Sequence, residues 1–175
     1  MRLGMMCLTG ALLGLMTYWM KHSSEGEVAV ADLLDGKGEP VGHATFTPLM
    51  KGVRIQVTLF HLQPGLHSMH IQMGGEGHRP AFKSSGAHFN PFGKRHGAQN
   101  KDGPHAGDLP NFEVGDDGTA QVEVTAFHIM LSPGKNSILP SGKTCLVIHE
   151  KPDDEVSDPT GNAGSQLACG VIQKP

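Results

Sequence analysis

The chain has 175 residues, among them 24 Gly, 12 Pro, 11 His and only 3 Cys, and carries a formal charge of −3 at pH 7. That length favours one domain, and a near-balanced charge with no basic stripe removes the electrostatic footprint of a nucleic-acid binder. Abundant Gly and Pro with 5 % aromatic residues suit short strands joined by turns rather than a helical bundle, and three Cys exclude a disulfide-dense miniprotein.

In chain order, Leu3 to Met20 is an apolar run without a charge, flanked by Arg2 and Lys21. Such a run reads as an export signal or membrane anchor over residues 1–22, with 23–26 as a polar linker and 27–175 as the folded domain. A cleaved signal peptide, an uncleaved anchor and a lipoprotein all remain open, although Met5 and Met6 before Cys7 are a poor context for lipid attachment. Each implies an exported protein of the cell envelope or the extracellular space.

Eight strands are predicted after the linker. They are Glu27–Leu34, Pro40–Thr47, Val53–His61, Leu66–Gln72, Leu109–Gly115, Thr119–Thr125, Cys145–His149 and Leu167–Ile172. Val53, Ile55, Val57 and Leu59 alternate cleanly onto one face. Asp116-Asp117-Gly118 reads as a hairpin turn because Gly tolerates positive φ there. Two long irregular stretches, Gly74 to Gly107 and Glu150 to Ser165, interrupt the strands; loops of that length are usually functional or stapled by a metal. The pattern predicts an all-β antiparallel sandwich or barrel.

The histidines carry the chemistry. His88, His96, His105 and Asp108 fall within the first loop and just past it, and three imidazoles with one carboxylate make a full tetrahedral set for Zn²⁺. A loop with few large apolar residues cannot order itself by burial, and a metal can close it. Spacing alone leaves solvated loop histidines as an equal alternative.

The surrounding words go further. Gly86-Ala87-His88-Phe89-Asn90-Pro91, Arg95-His96-Gly97, His105-Ala106-Gly107-Asp108-Leu109, His149-Glu150-Lys151-Pro152-Asp153-Asp154, Gly161-Asn162-Ala163-Gly164 and Ala168-Cys169-Gly170-Val171 follow one another in this order. In order and spacing they closely resemble the copper/zinc superoxide dismutase family, over roughly Gly26 to Lys174. The resemblance implies an eight-stranded Greek-key β-barrel, an immunoglobulin-like sandwich with a metal-binding loop and a charged loop.

By the same resemblance, His88, His96, His105 and Asp108 are zinc ligands, and His88 also bridges to copper. His70 and His149 match further copper ligands, so that His70, His88 and His149 form the catalytic set. Asp153 matches the carboxylate linking the two metal sites through ligand imidazoles, and His67 a histidine that supports the copper side.

Three departures stand out. Where the family motif reads His-x-His, this chain reads His70-Ile71-Gln72, and a Gln amide is a far weaker donor for copper than imidazole. Gln166 stands where the family carries an Arg beside the copper channel, and steering an anion needs local positive charge; Lys151 matches another positive residue there. Phe82 stands where the family carries the loop Cys that pairs with the residue matching Cys169. That leaves either two buried thiols, the preferred reading, or a Cys145–Cys169 bridge between adjacent strands.

His43, His61, His78 and His128 match no ligand position and read as surface or strand-end residues; Met69 and Met73 read as core or surface. The resulting expectation is an exported superoxide dismutase with Zn²⁺ and a weakened Cu⁺/Cu²⁺ site, whose activity is impaired by Gln72 and Gln166. A non-enzymatic, zinc-stabilised protein that buffers or transfers copper is the alternative, and a purely structural zinc-stapled barrel the weakest reading. Superoxide is the expected substrate if the protein is active, and the membrane a partner if residues 1–22 stay attached. Monomer and dimer are both open. A zinc hydrolase is disfavoured, because the four-ligand zinc set leaves no open position.

Overall fold

The computed structural model describes residues 27–74, 82, 85–139 and 144–175. The segment 1–22, the linker, Cys7 and His78 lie outside the described residues. No α-helix occurs among the described residues. The described residues form nine strands: β1 Ala29–Asp35, β2 Pro40–Pro48, β3 Val53–Leu59, β4 Gly65–His67, β5 Met69–Gln72, β6 Phe112–Val114, β7 Ala120–Ala126, β8 Cys145–His149 and β9 Gln166–Val171. Seven lie in one antiparallel sheet of order β5-β8-β9-β1-β2-β3-β7, which curls around the core, and β4 pairs with β6. The architecture is the expected Greek-key β-barrel.

Alternation builds the barrel. In β3, Val53, Ile55, Val57 and Leu59 are buried and Arg54, Gln56 and Thr58 exposed, as the two-residue period of a half-buried strand requires. β5 and β8 differ, because every one of their residues is buried. Met69 and Ile71 of β5, with Leu146 and Ile148 of β8, enter the main core. The opposite face of the same strands carries His70, Gln72, Cys145, Val147 and His149, sealed by the long loops rather than by a second sheet. In register, His70 opposes Val147 and Gln72 opposes Cys145, so strand periodicity alone gathers these polar residues onto one face.

Three expectations need correction. Leu66–Gln72 is not one strand: it breaks at Ser68, and β4 and β5 lie in different sheets. Ser68 Oγ donates to Lys151 O (2.8 Å) and its carbonyl accepts from His149 N (2.9 Å). The turn at Asp116-Asp117-Gly118 does form, with Gly118 at φ +76°. Its flanking strands, however, do not pair as a hairpin: β6 pairs with β4 and β7 with β3. The predicted Leu109–Gly115 also shortens to β6, since Pro110 has no N–H to give a ladder.

The free edge of β5 is covered by the metal-loop backbone. Phe89 N donates to Ile71 O (2.8 Å), Ile71 N to Gly107 O (2.9 Å) and Gly107 N to Phe89 O (2.9 Å). Phe89, Ala106 and Leu109 are buried in the core and anchor this stretch. Loop residues His88 and Asp108 are thereby set against Gln72 and His70, with which they form isolated bridges.

Candidate metal centre

Three imidazoles converge on one carboxylate. His88 Nδ1 lies 2.9 Å from Asp108 Oδ1, His96 Nδ1 3.2 Å from Oδ2 and His105 Nδ1 3.3 Å from Oδ1. Asp108 Oδ2 also accepts the backbone N–H groups of Gly97 and His105, each at 2.9 Å. Burial alone would push the Asp108 carboxyl up, but hydrogen bonds from His88, His96 and Gly97 outweigh it and hold its pKa far below the usual carboxylate range.

A second set shares His88. Ligand atoms of His70, His88 and His149 lie within 4.8 Å of one another, as do those of the first set. The His70 and His88 rings stack at 4.0 Å between centroids. His88 thus presents Nδ1 to Asp108 and keeps Nε2 for the other side.

Asp153 links the two sets. Its Oδ2 lies 2.7 Å from His70 Nε2 and its Oδ1 2.9 Å from His96 Nε2. Each contact occupies the outer nitrogen of a ring and leaves the inner one facing its metal set, which is how an outer partner fixes tautomer and orientation. Asn111 grips Asp153 by its backbone: Nδ2 donates to Asp153 O and Oδ1 accepts from Asp153 N, both at 2.8 Å. Gly161, at φ +62°, lies against the same carboxylate, and a Cβ there would strike Asp153 Oδ1 and His96 Nε2. No side chain larger than hydrogen fits.

The electrostatics divide the histidines. Burial lowers the pKa of His70 to about 4. Burial, with His70 and His88 nearby, lowers that of His149 to about 3. Burial likewise lowers His105. Burial acts in the same direction on His96, but the Asp108 and Asp153 carboxylates win and raise it to about 10.

These residues pass a test for metals. His70 Nδ1 and His88 Nε2 are buried without a hydrogen-bond partner, and His96 Nδ1 and His105 Nδ1 meet only the Asp108 carboxylate, at 3.2 and 3.3 Å. Buried polar atoms are normally satisfied, and a cluster of imidazole nitrogens in two compact sets is the donor chemistry of zinc and copper.

The other predicted residues fall around this centre. His67 on β4 places Nδ1 2.8 Å from His149 O and Nε2 2.8 Å from Gln63 O, steadying the end of β8. Gln72 and Gln166 meet across the face of the sheet and line a cleft of about 540 Å³ with His88, His149, Asn162 and Gly164. Lys151 does not line that cleft; its side-chain carbons lie against Gly164 on the rim. Cys145 and Cys169 are buried thiols with no disulfide between them. Contact with Cys169, together with burial, pushes the Cys145 thiol far up. Phe82, 1 % exposed, packs with Cys145, Val147 and Cys169 in a small cluster of its own. Met69 is in the core and Met73 exposed; His43, His61 and His128 are exposed.

Sequence reading missed Asn111, Ser85 and Asp158. Asp158 accepts the His96 N–H at 2.9 Å. Ser85 Oγ lies between the two glutamines, 2.5 Å from Gln72 Oε1 and 3.0 Å from Gln166 Oε1, with one proton to donate. None belongs to a recognisable spacing, because each acts on a residue far away in sequence.

Comparison with known proteins agrees with this geometry. A family model described as copper/zinc superoxide dismutase matches residues 41–172. Superoxide dismutase [Cu-Zn] 2 of Aquifex aeolicus is 43 % identical over 168 residues, which span 95 % of this chain and 98 % of that protein. Superoxide dismutase [Cu-Zn] 1 of the same organism is 45 % identical over 145 residues, spanning 82 % and 86 %. The crystal structure of a superoxide dismutase-like protein from Bacillus subtilis superposes with a TM-score of 0.79 at 37 % identity, covering 81 % of this chain and 96 % of the other.

Proposed function

Because this chain belongs to the copper/zinc superoxide dismutase family, we propose that it is an exported metalloprotein that converts two superoxide anions and two protons to oxygen and hydrogen peroxide, at a rate reduced by Gln72 and Gln166. One observation carries the reading: the ligand atoms of His88, His96, His105 and Asp108, and those of His70, His88 and His149, gather in two compact sets that share the buried His88. His88, His96, His105 and Asp108 would hold zinc, and His70, His88 and His149 copper. Copper, when bound, supplies the one-electron couple that the disproportionation needs.

The chain's own residues prepare the site. Burial keeps His70 and His149 neutral at pH 7, with lone pairs to give. Asp153 locks the outer nitrogens of His70 and His96. His67 holds the His149 carbonyl, which limits rotation of the strand end that carries the ring. The cleft admits a small anion but lacks an Arg or Lys among its described lining residues, so the attraction that would raise the encounter rate is weak. Export is supported by the uncharged run Leu3 to Met20.

The test is superoxide consumption by metal-quantified protein carrying zinc and copper, set against the zinc-only protein and free copper. Turnover above both controls supports the dismutase. Copper retained without turnover favours the second reading, a copper-buffering protein, for which the neutral glutamines at both copper-side positions argue.

Zinc loading has a proton signature of its own. With a pKa of about 10, His96 is protonated at pH 7 before metal binds. A ligand nitrogen must be deprotonated, so zinc binding at pH 7 releases about one proton from His96. The release declines as pH rises through 10, where the ring is already neutral. Calorimetry of zinc binding in buffers of different ionisation enthalpy measures this directly, and Asp153→Asn, which removes one of the two carboxylates, reduces it.

A further inference from the structure

Gln72 stands at a position where the amide could offer either its oxygen or its nitrogen to the metal side, and the hydrogen bonds decide which. Ser85 Oγ lies 2.5 Å from Gln72 Oε1. That separation belongs to an O–H···O bond and is too short for N–H···O, so the carbonyl end faces Ser85 and takes its one proton, the Gln166 Oε1 atom lying farther off at 3.0 Å. Gln166 Nε2 donates to the same oxygen at 3.1 Å. A carbonyl oxygen has two lone pairs, and these two donors occupy both. The nitrogen end is therefore turned to His149, with Nε2 3.4 Å from His149 Nε2. An amide nitrogen has no lone pair for a metal and can only donate. Gln72 is 2 % exposed and Ser85 fully buried, so the arrangement is held from all sides.

Resting on the reading that His70, His88 and His149 hold copper, we propose that Gln72 is not a ligand but the donor that receives a small monoanion in the cleft, and that Ser85 and Gln166 fix its direction. Copper held through His149 Nε2 would take up the ring lone pair that the Gln72 N–H now faces. The amide then needs another acceptor, and the cleft lined by Gln72, His149 and Gln166 supplies room for one. The two glutamines form one unit: Gln166 meets the anion through Gln72, as a positioning residue.

Azide, a small monoanion, is the probe. The full chain is loaded with zinc and copper, its copper content is determined, and azide is titrated by its copper charge-transfer absorption. Gln72→Leu, close in shape but unable to donate, is expected to leave copper content and the Cu(II) EPR spectrum unchanged while weakening azide about tenfold, the scale of one hydrogen bond to a charged partner. Ser85→Ala, which lets the amide turn, is expected to weaken azide about threefold with copper again unchanged. If Gln72→Leu loses copper or alters the EPR hyperfine pattern, Gln72 is a ligand and the proposal fails. Unchanged azide affinity in both variants with copper in place also overturns it. A wild-type chain that retains no copper overturns the copper reading itself, and this proposal with it.

Discussion

Gln72→His is expected to raise copper-dependent superoxide consumption by about 10- to 100-fold, the scale on which single changes around a metal move affinity and activity. Gln72 lies on β5 two residues from His70, on the same face, and opposes Cys145 of β8 in register. A histidine there replaces an amide nitrogen that cannot coordinate with an imidazole that can. The substitution is close in volume, which a buried site tolerates best. It also releases Ser85 and Gln166 from Gln72, leaving Gln166 free to face the cleft. Stopped-flow decay of superoxide on protein of known copper content measures the effect, and Cu(II) affinity should tighten in parallel. An unchanged rate with tighter copper would show that Gln166, and not Gln72, limits turnover.

Asp108→Ala is expected to abolish stoichiometric zinc binding and lower the stability of the zinc-loaded domain by roughly 3–5 kcal/mol, a fall in Tm of about 10 °C or more. One carboxylate here meets His88, His96 and His105 and also caps the backbone N–H groups of Gly97 and His105. Its removal leaves three buried imidazoles without their shared anion. Calorimetric melting with and without added zinc separates the two losses: the variant should melt at one temperature whether zinc is present or not. A variant that still gains stability from zinc would show that the three histidines suffice.

The cluster of His88, His96, His105 and Asp108 was legible through the words around these residues, which resemble a known family; their spacing alone suits solvated loop histidines equally well. The barrel was legible because strands such as β3 alternate residue by residue. What sequence could not reveal depends on contacts between distant segments. Asn111 reaches Asp153 across 42 positions, and Ser85 reaches Gln166 across 81. The break at Ser68 hides inside a run whose every residue from His67 to Gln72 is buried, so no change of pattern marks it. The turn at Gly118 obeys local chemistry, whereas the partners of β6 and β7 are set by long-range pairing. Gln72 is the sharpest instance. Its identity implied a weak oxygen donor, but only the positions of Ser85 and Gln166 turn that oxygen away.

Phe82 has a consequence for how the protein matures. Its ring fills the space beside Cys169 and Cys145, and its carbonyl accepts the Ser85 N–H at 2.8 Å. The metal loop is thus fastened to β8 and β9 by burial rather than by a covalent link. A fastening of this kind forms without an oxidant and survives any reductant. Closing the barrel around this loop therefore makes no demand on the redox state of the surroundings.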